Sequence, residues 1–545
     1  MERAAAGIRS VLILVCLALG CHRRAPDPSG CTIPPSLAGL RRLPLAVLED
    51  KIRGGWAGQM IGVTCGAPFE FHARGATLDG DLRGYDGFVP RKVEDALSQD
   101  DLYVDATFAQ VMDRVGLDAT LADYAAALAK TRYPLFHANA AARRLLAQGA
   151  PPERAGDPLW NLHTNDIDFQ IEADFIGLMT PGLPADANRY ATRVGRLVSH
   201  GDGLYGGLFV ASLYAAAFFE TSPRELVEVA LQSIPAESGY AAAVRDVLGW
   251  CSADADWRAT WRKIEDASAN RDVCPSGALE PFDIDARLNG AYVVLGLLHG
   301  NGDFARTLEI VVRAGQDTDS NAATALGVLG AAVGYASIPD AFKSGIPRIA
   351  DRRFDHTDVS FNDLVASTRR RAIAAVIRAG GACTGETLLV PDQAPSPPPL
   401  EQLDMGLPAA RIEAASAAWT WGGAWRDAPG AVDAGQPWQG KQSGQAGACA
   451  ELHFSGTGIA ILGPLGPAGG RADVHLDGVR QARLLDAYAP PRTWDHDLFH
   501  TFGLADGPHT LKIEIRPDAD RPSSGHEITV FGAISFRPSD AHPAP

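Results

Sequence analysis

Through the first 385 residues apolar positions recur every three to four residues, the spacing of helices that bury one face. Such runs cover Leu43 to Val63, Leu117 to Gln148 (broken at Pro134), Leu197 to Phe219, Phe304 to Val312 and Ala322 to Gly334. Strand signals are nearly absent until Thr384. A proline-rich stretch, Val390 to Pro399, then separates two regimes. Beyond it the period falls to two: His509 to Ile515 and Ile528 to Phe536 alternate apolar and polar residues, and Asp477-Gly478 and Asp506-Gly507 supply turns. The pattern predicts a multidomain chain, with an all-α helical bundle over residues 43–388, a Pro-rich linker over 389–410 and a small all-β sandwich over 411–540. A mixed sheet built from both halves would break that reading.

Two of the predicted helices carry glycine at helical spacing. Gly54, Gly58, Gly62 and Gly66 recur every four residues, and Gly327, Gly330 and Gly334 share a face of a later helix. Each glycine costs a helix roughly 1 kcal/mol. Bare faces of this kind predict close backbone contact, with each other or with neighbours, and such contact would bring Glu70 towards Asp317 and Asp319. Relief of crowding in a dense bundle is the other reading.

The candidate chemistry is acidic. Gln316-Asp317-Thr318-Asp319-Ser320-Asn321 joins two apolar runs, and Gln99-Asp100-Asp101 opens another. Asp and Ser before a helix commonly cap it, and Asp319 or Ser320 would serve with Asp317 just outside. If the clusters meet in space, their hard oxygens suit Mg²⁺, or Mn²⁺. Asn165, Asp166 and Asp168 open a further apolar run, as a substrate wall or as caps; His200 and Asp202 enter the helix that follows, as pocket residues or as structural ones.

Four pieces of the chain resemble, in order, the ADP-ribosylglycohydrolase family. Gln316-Asp317-Thr318-Asp319-Ser320-Asn321 is similar to its Gly-Asp-Thr-Asp-Thr-Asn signature, and Gly54 to Gly62 with Gly66-Ala67-Pro68-Phe69-Glu70-Phe71 to its opening helix and following glutamate. Ser98-Gln99-Asp100-Asp101 resembles its Thr-Asp-Asp-Thr segment, and Ser199-His200-Gly201-Asp202 its mid-chain histidine region. The likeness spans roughly residues 45–385. Gln99, Leu102 and Ser320 stand where the family has threonine. The resemblance implies metal ligation by Gln99, Asp100, Asp101, Asp317, Asp319 and Ser320, with two Mg²⁺ ions. It also implies catalytic roles for Glu70 and Asp101, and substrate contacts from Asp166, Asp168, His200 and Asp202. The sandwich resembles galactose-binding-like modules of carbohydrate enzymes, whose sugar platform here would be Trp419, Trp421, Trp425, Trp438 and Trp494. Core packing explains each Trp equally well.

A net charge of −16 argues against nucleic acid and anionic lipid as partners. Arg3 and Arg9 precede a short apolar run, Val11 to Leu19, that ends at Gly20-Cys21. This resembles a bacterial lipoprotein signal over residues 1–21, followed by a tether over 22–42. Lipidation of Cys21 would anchor an exported chain to the membrane, with simple secretion as the alternative. Cys251 with Cys274, and Cys31 with Cys383, are conceivable disulfides in that setting, and no Cys-x-x-Cys pair signals zinc. The expected function is a divalent-metal-dependent glycosyl hydrolase of ADP-ribosyl, ribosyl or other furanosyl bonds, acting on a small-molecule or glycan substrate without a protein partner. A non-catalytic surface glycan-binding lipoprotein is the rival.

Overall fold

A computed structural model describes residues 40–80, 82, 93–401, 403–428, 432–433, 436–437, 439–490, 493–520 and 522–539. The proposed signal, Cys21, most of the tether, Cys31 and Trp438 lie outside these. Helices form the first part and antiparallel sheets the second, as the periodicity predicts. Among the described residues no sheet mixes strands from both halves.

The helical part is not purely helical. Leu40–Pro44 pairs antiparallel with Thr387–Pro391, which also pairs with Ala382–Thr384. Leu43 therefore lies in a strand, and the helix runs over Leu45–Gly66, a shift that local pattern hid because the pairing partner lies more than 300 residues away. This small sheet ties the two ends of the helical part together.

Behind the glycine spacing is one close helix pair. Leu45–Gly66 packs along Thr318–Val333 with almost no separation. A Cβ on Gly54, Gly58, Gly62 or Gly66 would fall well inside 3.0 Å of the carbonyl oxygens of Gly330, Leu326, Ala322 and Thr318 in turn. Of the second set, Gly330 faces Gly54, whereas Gly327 receives the Tyr214 hydroxyl and Gly334 abuts Asp50. Trp56, Met60, Ile61, Leu326 and Leu329 on the flanks are buried in the main apolar core.

Residues 392–401 run as a strap bound to the helices. Gln393 Nε2 donates to Asp186 Oδ2 (2.8 Å), Asn188 Nδ2 to the Ser396 carbonyl (3.0 Å), and the Glu401 amide to the Tyr205 hydroxyl (2.7 Å).

In the sandwich, the long strands Cys449–Leu465 and Thr493–Ile515 pair across register shifts, and Gly532–Arg537 joins Cys449–Leu465 on its other edge. Leu452, Ile461, Val474, Ile513 and Ile528 fill its core. Trp419 belongs to that core and stacks on Trp421 (5.2 Å between centroids), which meets the Trp425 edge at 4.7 Å. Of the three, only Trp419 and Trp421 stack face to face, and Trp421 and Trp425 stay half-buried. A second apolar cluster joins the two parts: Leu162, Val273 and Ala278 pack against Met405, Phe502 and Phe536. The loops carrying Leu162 and Ala278 are thus braced by the sandwich.

Candidate active site

The glycine helix delivers Glu70. At its end, the Thr318 hydroxyl donates to the Gly66 carbonyl (2.9 Å). The chain then turns through Ala67–Phe69, and two backbone hydrogen bonds clamp it to the loop before the second helix: Phe71 N to Gln316 O (2.9 Å) and Gln316 N to Ala73 O (2.8 Å). Phe71, Gly315 and Gln316 hold positive φ in this clamp. Such backbone persists where surrounding structure over-determines it, and clusters at functional sites. Ligand atoms of Glu70, Asp317 and Asp319 consequently lie within 4.8 Å of one another.

The second acidic pair joins them. Asp100 and Asp101 open the helix Asp100–Val115, and the Ser320 hydroxyl reaches Asp101 Oδ2 at 3.5 Å. Five carboxylates therefore gather in one acidic group. For Glu70, Asp100, Asp101 and Asp319 burial raises the pKa first, and repulsion from neighbouring carboxylates raises it further. Asp100 is pushed up to about 6 by burial and Asp317, and Asp101 and Asp319 well above the carboxylate range. Glu70 sits on the rim with much of its residue surface open; its carboxyl, hemmed in by Asp317 and Asp100, is raised to about 8, desolvation leading.

Capping and clustering prove compatible. Asp317 is the N-cap, accepting from the Ser320 amide (3.3 Å), so the cap lies two or three residues before Asp319 and Ser320, the residues expected to serve. Gln99 takes the N-cap position of its helix without a side-chain cap, and Leu102 is buried in the apolar core.

His200 and Asp202 serve a different neighbourhood. His200 Nδ1 lies 2.9 Å from Glu401 of the strap, and Asp202 accepts from the Tyr240 amide (2.9 Å) and faces Arg287 (3.6 Å). Among the described contacts none links either to the five carboxylates. Asp168 accepts from the amides of Ala138 (3.2 Å) and Asn139 (2.9 Å), pinning the start of the helix His137–Ala147. Asp166 receives His137 and His163, which the sequence reading passed over. Burial disfavours charge on His137, but Asp166, Asp168 and Asp272 outweigh it and raise it to about 9, and its charge in turn eases Glu70 and Asp100.

Beneath the cleft, Gln59 of the glycine helix donates to Asp174 (2.7 Å) and Asp105 (3.4 Å), both fully buried. Asp105 lies one helical turn after Asp101, a spacing that could have marked it. The proposed bond between Cys251 and Cys274 is absent, since both are free thiols.

A cation suits the acidic group. Buried carboxylates this close repel unless positive charge is supplied, and Asp101 Oδ1 and Asp319 Oδ1 are buried without a hydrogen-bond partner. An oxygen-only donor set is that of Mg²⁺ or Mn²⁺.

A helical bundle built around a buried acidic cleft is the class that fold and site define. The ADP-ribosylglycohydrolase pattern matches residues 44–374, and the chain belongs to that family. A solved "ADP-ribosylglycohydrolase-related protein complex" is similar over 61% of this chain and 99% of its own, with 16% identity and a TM-score of 0.41. A Paenibacillus xanthan lyase is similar over 28% of this chain and 15% of its own (13% identity, TM-score 0.18). The CBM36-1 domain of a multidomain xylanase from a Trinervitermes trinervoides hindgut metagenome is similar over 23% and 93% (14% identity, TM-score 0.15). No curated protein matches the chain. Family membership supports a glycohydrolase-like function.

Proposed function

We propose that this protein is a divalent-metal-dependent glycosyl hydrolase cleaving an ADP-ribosyl, ribosyl or other furanosyl bond outside the cytoplasm, anchored through lipidated Cys21. The observation that carries the reading is the meeting of Glu70, Asp317 and Asp319 within 4.8 Å, with Asp100 and Asp101 beside them. Asp100, Asp101, Asp317 and Asp319, with the Ser320 hydroxyl, would hold Mg²⁺ or Mn²⁺. When bound, such cations neutralise the cluster, bind neighbouring sugar hydroxyls and lower the pKa of water.

The chain's own groups supply the rest. Glycosidic cleavage develops positive charge at the anomeric carbon, and the acidic wall stabilises it electrostatically. Glu70, whose carboxyl burial lifts above the ordinary range, stands at the edge of the group, placed to donate a proton to the departing group. Positive charge at His137 eases that shift. Asp317 both caps its helix and faces the cleft, so the donor set is built into the fold before any ligand arrives.

Calorimetric titration with Mg²⁺ and Mn²⁺, followed by hydrolysis assays on ADP-ribosyl, ribosyl and furanosyl substrates, tests the reading. Metal binding with turnover that Glu70→Gln abolishes is the expected result. Metal binding without turnover of any substrate would leave the glycan-binding lipoprotein in its place. Membrane fractionation with mass analysis of the amino-terminal residue tests the anchor, and a soluble, unmodified Cys21 would refute it.

A further inference from the structure

A second group of metal-ligating side chains lies beside the five carboxylates, with His137 near enough to ease Glu70 and Asp100. His137, His163, Asp166 and Cys274 bring one donor atom each to within 4.8 Å of the others. They come from separate parts of the chain: the first residue of the helix His137–Ala147, the turn before Asp166, and the 272–278 loop. His163 Nδ1 lies 2.8 Å and His137 Nδ1 3.2 Å from Asp166 Oδ2, and Cys274 Sγ lies 3.7 Å from His137 Nδ1.

We infer that His137, His163, Asp166 and Cys274 form a transition-metal site of the Zn²⁺ type, distinct from the acidic cleft. Two imidazoles, a thiolate and a carboxylate make a four-coordinate set of borderline softness, which suits Zn²⁺ and not Mg²⁺. Four protein donors leave no open position, so the role is structural. Binding displaces the Cys274 thiol proton and one proton of the His137 imidazolium, and each ring keeps its remaining proton on Nε2, which leaves both Nδ1 atoms to coordinate.

The competing arrangement is a hydrogen-bond knot with the carboxylate as sole acceptor. It accounts poorly for Asp166. Both imidazoles crowd onto Oδ2, while Oδ1, equally buried, has no partner. His137 holds a left-handed backbone (φ 41°), the conformation that aims its ring at this point, and Asp168 pins the amides that follow. Strain of this kind is retained where a site over-determines it. The surroundings match a metal shell: Ile167, Ile171, Phe282 and Ile284 enclose Cys274, and the His137 ring stacks on Phe282 at 6.1 Å. The Asp272 carboxylate fixes the loop by accepting from the Cys274 amide (2.8 Å) and the Ile284 amide (3.0 Å). Partly exposed His137 provides the way in.

The full chain, purified without chelator, should carry one Zn²⁺ by elemental mass spectrometry. Loaded with Co²⁺, it should show a thiolate-to-cobalt charge-transfer band. Cys274→Ser should abolish that band and weaken Zn²⁺ binding more than about a hundredfold, while Asp317→Asn and Cys251→Ser leave both unchanged. Equal Zn²⁺ content in wild type and Cys274→Ser would overturn the site, as would loss of Zn²⁺ in Asp317→Asn. If Cys274→Ser fails to fold, the wild-type cobalt spectrum decides alone, and absence of the thiolate band overturns the proposal.

Discussion

Asp101 and Asp497 are both buried aspartates, yet they sit at opposite electrostatic extremes. Asp101, in the cleft, faces Asp100, Asp317 and Asp174, and burial plus repulsion lift its pKa well above the ordinary range. Asp497, where the sandwich meets the helical part, pays the same desolvation but faces His500, Arg144 and Arg483, which hold it far below that range. Its neighbours continue across the junction: His500 Nε2 lies 2.8 Å from the Pro158 carbonyl, and Arg483 also reaches the Leu159 carbonyl. Burial is the same in both places, so the partners decide the sign. A buried charge matched within the chain is a structural device. An unmatched cluster of like charges is a site that waits for something from outside.

The most severe test of this contrast is Asp317→Asn. It should lower hydrolytic activity by about 10²–10³-fold or more and abolish Mg²⁺ binding in calorimetry. Stability of the metal-free protein should hold or rise, because Asn caps about as well as Asp and one repelling charge is gone. A large loss of metal-free stability would show that the carboxylate is structural.

Asp497→Asn should do the reverse. Removing one partner of a buried ionic group costs about 3–5 kcal/mol, read by urea denaturation, with Mg²⁺ affinity unchanged. An effect below 1 kcal/mol would erase the distinction between the two regions.

Gly62→Ala probes the helix contact that assembles the cleft. With no room before the Ala322 carbonyl, it should cost about 1–3 kcal/mol and weaken metal binding by displacing Glu70. Calorimetry and thermal melting check both effects.

A further test is in pH. Asp100 and Glu70 have folded-state values raised to about 6 and about 8, so the metal-free native state binds more protons than the unfolded chain. Its stability should therefore decline as pH rises from about 4 to about 8. Saturating Mg²⁺ should flatten that slope, adding about 2.7 kcal/mol at a hundred times Kd. Asp497 acts oppositely, contributing stability above about pH 4 that disappears on acidification. Urea midpoints across pH, with and without Mg²⁺, separate the two.

Much of this was legible in the sequence because it was written in short-range pattern. Period 3.6 giving way to period two across the prolines located the helical and β parts, and the four-residue glycine spacing foretold the backbone contact. The Asp-Thr-Asp segment pointed to the cleft. His200 and Asp202 were harder: a polar pair opening a helix reads the same whatever it meets, and here it meets Glu401 of the strap and the start of a neighbouring helix. His163 and Cys274 carried no spacing signal at all, lying over a hundred residues apart with no partner motif.

By itself, then, the sequence determined the periodicities, the bare glycine faces, the caps and the hard-oxygen chemistry of each acidic segment, since these depend on neighbours within a few residues. Only the tertiary structure decided which segments meet. It closed the helical part with a strand from Leu40–Pro44, bound the proline segment down as a strap, and set the sandwich against the loops of Leu162 and Ala278. It also chose, between identical aspartates, the one left in repulsion and the one neutralised. Coulomb interactions depend on distance in space, and local spacing carries no record of that distance.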